Sequence, residues 1–151
     1  MNIQNNKCVM IINSESPIGL IANTSAVLAL TLGHKIEGII GSTTIDADGY
    51  SHEGITNTPI PILKGSENLI KEMRDKVSNE FPELLLVDFS NIAQMSKHYD
   101  EYTEKIALCT RNDLSYLGIA LYGTKKRIDK LTGSLPLLRW NWNVITFYQS
   151  I

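Results

Sequence analysis

Apolar and polar positions are arranged most tellingly in the first 33 residues. Lys7 to Ile12 is an apolar, β-branched run of strand length, and Ile18 to Leu32 carries no charge. Between them Ser16 is an N-cap candidate, and Pro17 falls at the first helical position, where its missing N–H costs nothing. Gly33 is a natural residue to follow a helix end. The stretch predicts a β-loop-α unit, and a helix without charge predicts burial. Its loop places Ser14, Ser16, Gly19 and the next backbone N–H groups at the carboxyl end of the strand, where open α/β sheets bind ligands.

Further along, Lys35 to Gly41 reads as a weak strand or an extended connector. Residues 46–49, DADG, are a turn signal inside a stretch dotted with Gly41, Thr43, Thr44, Gly54 and Thr56. Pro59 and Pro61 flank Ile60, Ile62 and Leu63, a run compatible with a strand only at a sheet edge or a strand start. Ser66 caps a predicted helix to about Asn79, with Leu69, Ile70, Met73 and Val77 on one stripe and Lys71, Glu72, Arg74, Asp75 and Lys76 largely outside. Leu84 to Phe89, LLLVDF, reads as a central strand buried on both faces. A helix from about Lys97 to Leu108 aligns Tyr99, Tyr102 and Ile106. Leu117 to Tyr122 is another buried strand, closed by Gly123, and Thr124 caps a short last helix that Gly133 ends. Strands alternating with helices give a three-layer α/β/α single domain over residues 1–139, with a mixed β-sheet of about four main strands. In the tail, 140–151, Trp140, Trp142 and Val144 alternate with Asn141 and Asn143. It reads as an added strand that packs on its own sheet or on a second subunit.

Composition narrows the function classes. The 151 residues are 43% hydrophobic and 20% charged, which suits one globular domain. Fourteen Lys and Arg against 16 Asp and Glu leave a net charge of −2, so there is no global attraction to nucleic acid or to an anionic membrane. The one basic cluster, Lys125, Lys126, Arg127 and Lys130, reads as a solvated helix face. Cys8 and Cys109 lack metal-ligand spacing and are expected to be reduced core thiols. The uncharged run is shorter than the roughly 20 residues that span a bilayer, and no cationic leader opens the chain, so a cytoplasmic location is expected.

Several side chains are candidates for chemistry. Asp88, at a strand end, is either a general base or the cap of the next turn through Ser90 and Asn91. Asn23 and Thr24 either bond back to the carbonyls of their own helix or line a pocket with Asp88. Asp46, Asp48, His52 and Glu53 are ligand types at short spacing. An EF-hand is excluded, because Ile55 stands where the bidentate glutamate belongs, and turn chemistry accounts for the acids. His34 and His98 sit among polar neighbours and are expected at the surface. No G-x-S-x-G, H-E-x-x-H, Walker loop or G-x-G-x-x-G is present, and neither a metal nor a cofactor is expected.

Two stretches carry a resemblance. SPIGLIANTSAVLAL resembles the opening helix of the type-2 peptidyl-tRNA hydrolases, and YLGIALYGTKKRIDKLTGSLPLL resembles their closing strand and helix. Together, GLIANT, DADG with HEGIT, PIPILK, VDF, YDEYTE, LGIALYG and KLTGSLPLLR are similar to the uncharacterised domain of unknown function 2000 over roughly residues 7–139. The resemblance implies the hydrolase-like α/β fold without an established activity. It also exposes a departure: Leu20 stands where the hydrolases carry a functional lysine, with Thr24 and Val27 in place of their glutamine and histidine. Of their D-A-G-x-T loop only Asp88 remains. Losing a cation that contacts phosphate removes a charge-assisted bond that nothing nearby replaces. The expectation is a small-ligand or partner-binding module with a pocket formed by Gly19, Asn23, Thr24, Asp88, Ser90 and Thr132. Hydrolysis of peptidyl-tRNA is not expected. The alternative is an ester or amide hydrolase in which Asp88 positions or deprotonates water and Thr24 holds the substrate. A homodimer is expected from the apolar tail and from the pairing common among the hydrolases.

Overall fold

The computed structural model describes residues 5–139, so the expectations for the tail from Trp140 lie outside the described residues. Its main sheet has four strands in the order β4-β1-β6-β5. β1 (Asn6–Asn13) and β6 (Tyr116–Thr124) form the antiparallel centre, with Cys8 opposite Tyr122 and Ile11 opposite Ile119. β4 (Ile62–Gly65) joins β1 in parallel, and β5 (Leu85–Ser90) joins β6 antiparallel. A mixed sheet covered by helices on both sides is the architecture expected from the sequence.

Strand alternation divides the core in two. Cys8, Met10 and Ile12 point to one face with Ala120 and Tyr122, where they meet Leu28 and Leu32 of α1 (Ile18–Lys35). Val9 and Ile11 point to the other with Ile119 and Leu121, against Ile70 and Val77 of α2 (Glu67–Glu80) and Ile128 of α5 (Lys125–Thr132). β1 is covered on both faces and is therefore apolar at every position from Cys8 to Ile12. Ser66 caps α2 as expected, its hydroxyl accepting from the N–H of Leu69 at 3.2 Å.

Three local expectations are corrected. α1 starts at Ile18 with Pro17 as its N-cap and runs past Gly33 to Lys35, and no side chain caps its start. The helix is also not buried throughout. Thr24, Leu28 and Leu32, spaced by four, form its buried stripe, whereas Ile18 is 67% and Leu30 80% exposed. Finally, β5 is an edge strand, although its run LLLVDF reads as central. Burial of both faces makes a strand apolar whether or not it has neighbours on both sides, so composition does not report edge position. Two helices follow it: α3 (Asn91–Met95), absent from the sequence reading, and α4 (Tyr99–Ala107), the helix expected from about Lys97 to Leu108.

Between α1 and β4 an arm leaves the body. β2 (Thr44–Ile45) and β3 (Ser51–His52) pair antiparallel around the DADG turn, where Gly49 takes φ 87°, a conformation that favours glycine. Asp46 organises that turn. Its Oδ1 accepts from the N–H groups of Asp48 (3.0 Å) and Tyr50 (2.9 Å), and its Oδ2 lies 2.9 Å from His52 Nε2. These bonds, the one from His52 first, hold the Asp46 carboxyl below its usual range. Of the acids in this stretch, Asp46 serves the turn, as the sequence reading proposed.

Candidate functional site at the open edge of the sheet

Alternation along β5 sends Val87 and Phe89 toward α1, and Leu86 and Asp88 toward α2. On that second face Arg74 Nε donates to Asp88 Oδ2 at 3.1 Å, and Arg74 Nη1 lies 3.4 Å from Asp75 Oδ1. The Arg74 and Asp88 side chains are only 22% and 24% exposed. The guanidinium also lies over the ring of Tyr116, 5.4 Å from its centre, and Arg111 Nε approaches Asp75 at 3.8 Å. Burial opposes the charge on Arg74, but Asp88, the Tyr116 oxygen and Asp75 outweigh it and hold the guanidinium above its ordinary range. Tyr116 is 2% exposed, and its hydroxyl has no hydrogen-bond partner among the described residues. Burial, reinforced by the charges of Asp88 and Asp75 against the opposing pull of Arg74, pushes that hydroxyl up.

The pocket expected from the sequence is not assembled. Thr24 is buried on the α1 face, and its hydroxyl donates to the carbonyl of Leu20 at 2.7 Å. Asn23, one residue before it, is exposed, and so is Gly19. Ser90 is buried and caps α3, accepting from the N–H of Ala93 at 3.2 Å. Thr132 is buried in α5, where it donates to the carbonyl of Ile128 at 2.8 Å. Asp88 does not cap the following turn. It faces away from α1 and pairs with Arg74, because strand alternation sets Asp88 on the face opposite Phe89. Thr24 and Asp88 are thus on different sides of the sheet. His34 and His98 are both exposed.

A different concavity lies at the open side of β5. A cleft of about 400 Å³ runs between α1, β5 and the α3–α4 pair, with Asp88 at its border, on the side of β5 that no further strand covers among the described residues. Its walls include Val27, Thr31, Phe89, Ala93, Ser96 and Tyr102. The Tyr102 ring meets that of Tyr99 edge to face at 5.6 Å. Burial, then the charges of Asp88 and Tyr99, pushes the Tyr102 hydroxyl up. Lys97 and His98 also border the cleft. A larger cavity of about 590 Å³, bordered by Asn6, Lys7, Thr58 and Lys125, lies at the opposite end of the sheet. There Lys7 is held by Asp129 at 2.6 Å.

Arg74, Tyr102 and Tyr116 did not stand out from the sequence as site residues. For Arg74 a signal existed: it lies four residues after Ile70 and three before Val77, both buried, so it sits on the inward stripe of α2. A charge there predicts a buried or half-buried partner.

Fold and cleft define a single-domain mixed α/β protein with a lateral crevice. The chain belongs to the family described as protein of unknown function (DUF2000), whose profile covers residues 6–139. The sequence has no match among curated proteins. Among solved structures, a protein of unknown function from Agrobacterium tumefaciens is similar, with a TM-score of 0.79 at 16% identity over 88% of this chain and 97% of that one. At that identity the likeness concerns the fold. No helix among the described residues is long and apolar enough to cross a membrane.

Proposed function

We propose that the protein is a small-ligand-binding module whose site is the cleft beside β5, on a scaffold like that of the type-2 peptidyl-tRNA hydrolases. The observation that carries this reading is the pairing of Asp88 with Arg74. A hydrolase built on Asp88 needs a free carboxylate and a cation or backbone donor for the developing oxyanion. Here the carboxylate is already bonded, and Leu20 occupies the position of the hydrolase lysine. What remains fits recognition. The cleft volume lies in the range of small-molecule sites, and Val27, Phe89 and Ala93 give it an apolar lining. The Thr31 and Ser96 hydroxyls at its walls already donate to the carbonyls of Val27 and Ile92, which leaves their oxygens as acceptors beside the Tyr102 hydroxyl. A compact, largely apolar molecule with one or two hydrogen-bonding groups suits that lining.

Native mass spectrometry of the purified chain tests the proposal. A retained small molecule that is lost in Ala93→Phe, which fills the cleft, is the expected result. Turnover of peptidyl-tRNA comparable to a true type-2 hydrolase, abolished by Asp88→Ala, would overturn it in favour of the hydrolase reading.

A homodimer is part of the same proposal, and the arm supports it. Ile40, Ile45, Tyr50 and Ile55 are all more than half exposed there, more apolar surface than a projecting hairpin keeps in water without a partner. Light scattering of the wild type and of Ile45→Lys, Ile55→Lys decides the point, with a dimer mass expected only for the first. A cytoplasmic setting fits the two free thiols, Cys8 and Cys109.

A further inference from the structure

The larger cavity, at the other end of the sheet, begins where a proline ends a strand pairing. β4 runs parallel to β1 with Met10 opposite Ile62, and Met10 N–H donates to the Pro61 carbonyl at 2.9 Å. The next bond toward the strand starts would run from residue 61 to the Cys8 carbonyl, and Pro61 has no N–H to give. The ladder stops there. A space of about 590 Å³ opens between residues 57–61 on one side and Asn6, Lys7 and Lys125, the first residue of α5, on the other.

Among the described residues, the charged groups at this border are all cations, Lys7 and Lys125. Lys7 Nζ donates to Asp129 at 2.6 Å, which fixes the ammonium beside α5 and leaves two of its three donors. Lys125 makes no ion pair among the described residues. Thr58 is 9% exposed, and its hydroxyl has no hydrogen bond among the described residues: its N–H and carbonyl are engaged, both by Thr56 Oγ1, at 3.3 and 3.0 Å. A hydroxyl on so buried a side chain costs stability unless a group in the cavity pairs with it. The surrounding charge points the same way. Lys125, Lys126 and Arg127 fill the first turn of α5, which holds no acidic residue, although the macrodipole already makes that end positive. Lys126, Arg127 and Lys130 border a second concavity of about 330 Å³ beside Thr124, and of these Arg127 meets a carboxylate, that of Glu83 at 3.4 Å. The basic cluster read from the sequence as one solvated helix face is thus divided between two concavities, in a chain whose net charge is −2.

We propose that this cavity binds the phosphate group of a small organic phosphate, at a site separate from the cleft beside β5. The phosphate sits between the ammonium groups of Lys7 and Lys125 and accepts from the Thr58 hydroxyl. A phosphate monoester, close to a dianion and with three strong acceptor oxygens, matches two cations and a hydroxyl, whereas a carboxylate offers one charge and two oxygens. The organic part meets the rings of Pro59 and Pro61, the apolar portion of the border. An anion there also offsets the repulsion among the cations at the start of α5.

Amide NMR of the full chain, titrated with inorganic phosphate and, separately, with sodium acetate at matched ionic strength, tests the site. Saturable shifts of Lys7, Thr58 and Lys125 with phosphate, and weaker binding of acetate, are expected. Lys125→Gln and Thr58→Val should each weaken phosphate binding by about tenfold, the loss of one charge-assisted hydrogen bond. Lys125 is exposed, so its variant keeps the test open should Thr58→Val fold poorly. Lys76→Gln, the same change in charge at an exposed position of α2, should leave the affinity as it is. An absence of saturable shifts, acetate bound as tightly as phosphate, or an equal loss in Lys76→Gln would overturn the proposal. So would tighter binding of a single-stranded oligoribonucleotide without terminal phosphates than of phenyl phosphate, which would make this basic end a nucleic-acid surface instead.

Discussion

Replacing Arg74 by methionine separates the two roles open to Asp88. Methionine keeps an apolar stem against Tyr116 while removing the charge. The lost contacts are the 3.1 Å bond to Asp88 and the longer one to Asp75. With both Arg74 and Asp88 less than a quarter exposed, the pair is neither a solvated surface pair worth under about 1 kcal/mol nor a fully buried one worth about 3–5 on breaking. Charge-assisted bonds in this regime contribute about 1.5–3 kcal/mol. We expect Arg74→Met and Asp88→Asn each to cost about 2 kcal/mol. The double variant should cost little more than either alone, because each single change already strands the partner, giving a coupling of about 1–2 kcal/mol. Urea unfolding followed by far-ultraviolet circular dichroism measures all four corners, with an unchanged m value required for the comparison. A coupling near zero refutes the structural pair. An Asp88→Asn variant more stable than the wild type would do the same and would point to a carboxylate held under strain for chemistry.

Two further expectations concern the core. Gly118→Ala places a methyl 2.8 Å from Thr24 Cγ2 and 3.2 Å from the Ile11 carbonyl oxygen, and should cost about 1–3 kcal/mol by overpacking; adding Thr24→Ser, which removes the nearer methyl, should restore part of that loss in the same unfolding assay. Burial pushes the Cys8 thiol up from 9.0 to about 12, so in the folded protein it stays protonated and unreactive at pH 8. Cys109, expected in the core, is only half-buried, so a thiol-specific chromogenic reagent should titrate one cysteine in the folded protein and the second, Cys8, only after unfolding. Because the folded value is the higher one, the contribution to stability is complete below about pH 9 and is lost as the pH rises toward 12; Cys8→Val should show a shallower alkaline decline than the wild type.

The layers and the four main strands were legible because both carry a strong periodic signal. The run from Cys8 to Ile12 is apolar at consecutive positions, and Ile70 and Val77 mark a helical stripe with Ser66 as cap. The identity of the edge strand was not legible, since the run ending in Asp88 and Phe89 owes its apolar character to its faces and not to its neighbours. The site was misplaced for a related reason. Asp88 and Thr24 look close when the strand ends are read as one layer, but a period of two turns Asp88 to the side opposite Phe89, and the stripe Thr24, Leu28, Leu32 turns Thr24 inward. The cleft itself depends on α3 and α4, and α3 is too short to leave a pattern in the sequence. The exposure of Ile18 and Leu30 was also hidden, because the absence of charge does not fix which way a helix faces.

The most direct test of a binding cleft beside β5 is a two-dimensional amide NMR titration of the full chain against a library of small, largely apolar molecules. The account predicts that hits shift the amides of Thr31, Phe89, Ala93, Ser96 and Tyr102 together, and that Ala93→Phe abolishes those shifts. Hits that leave these amides unmoved and gather instead around Lys7, Thr58 and Lys125 would contradict it.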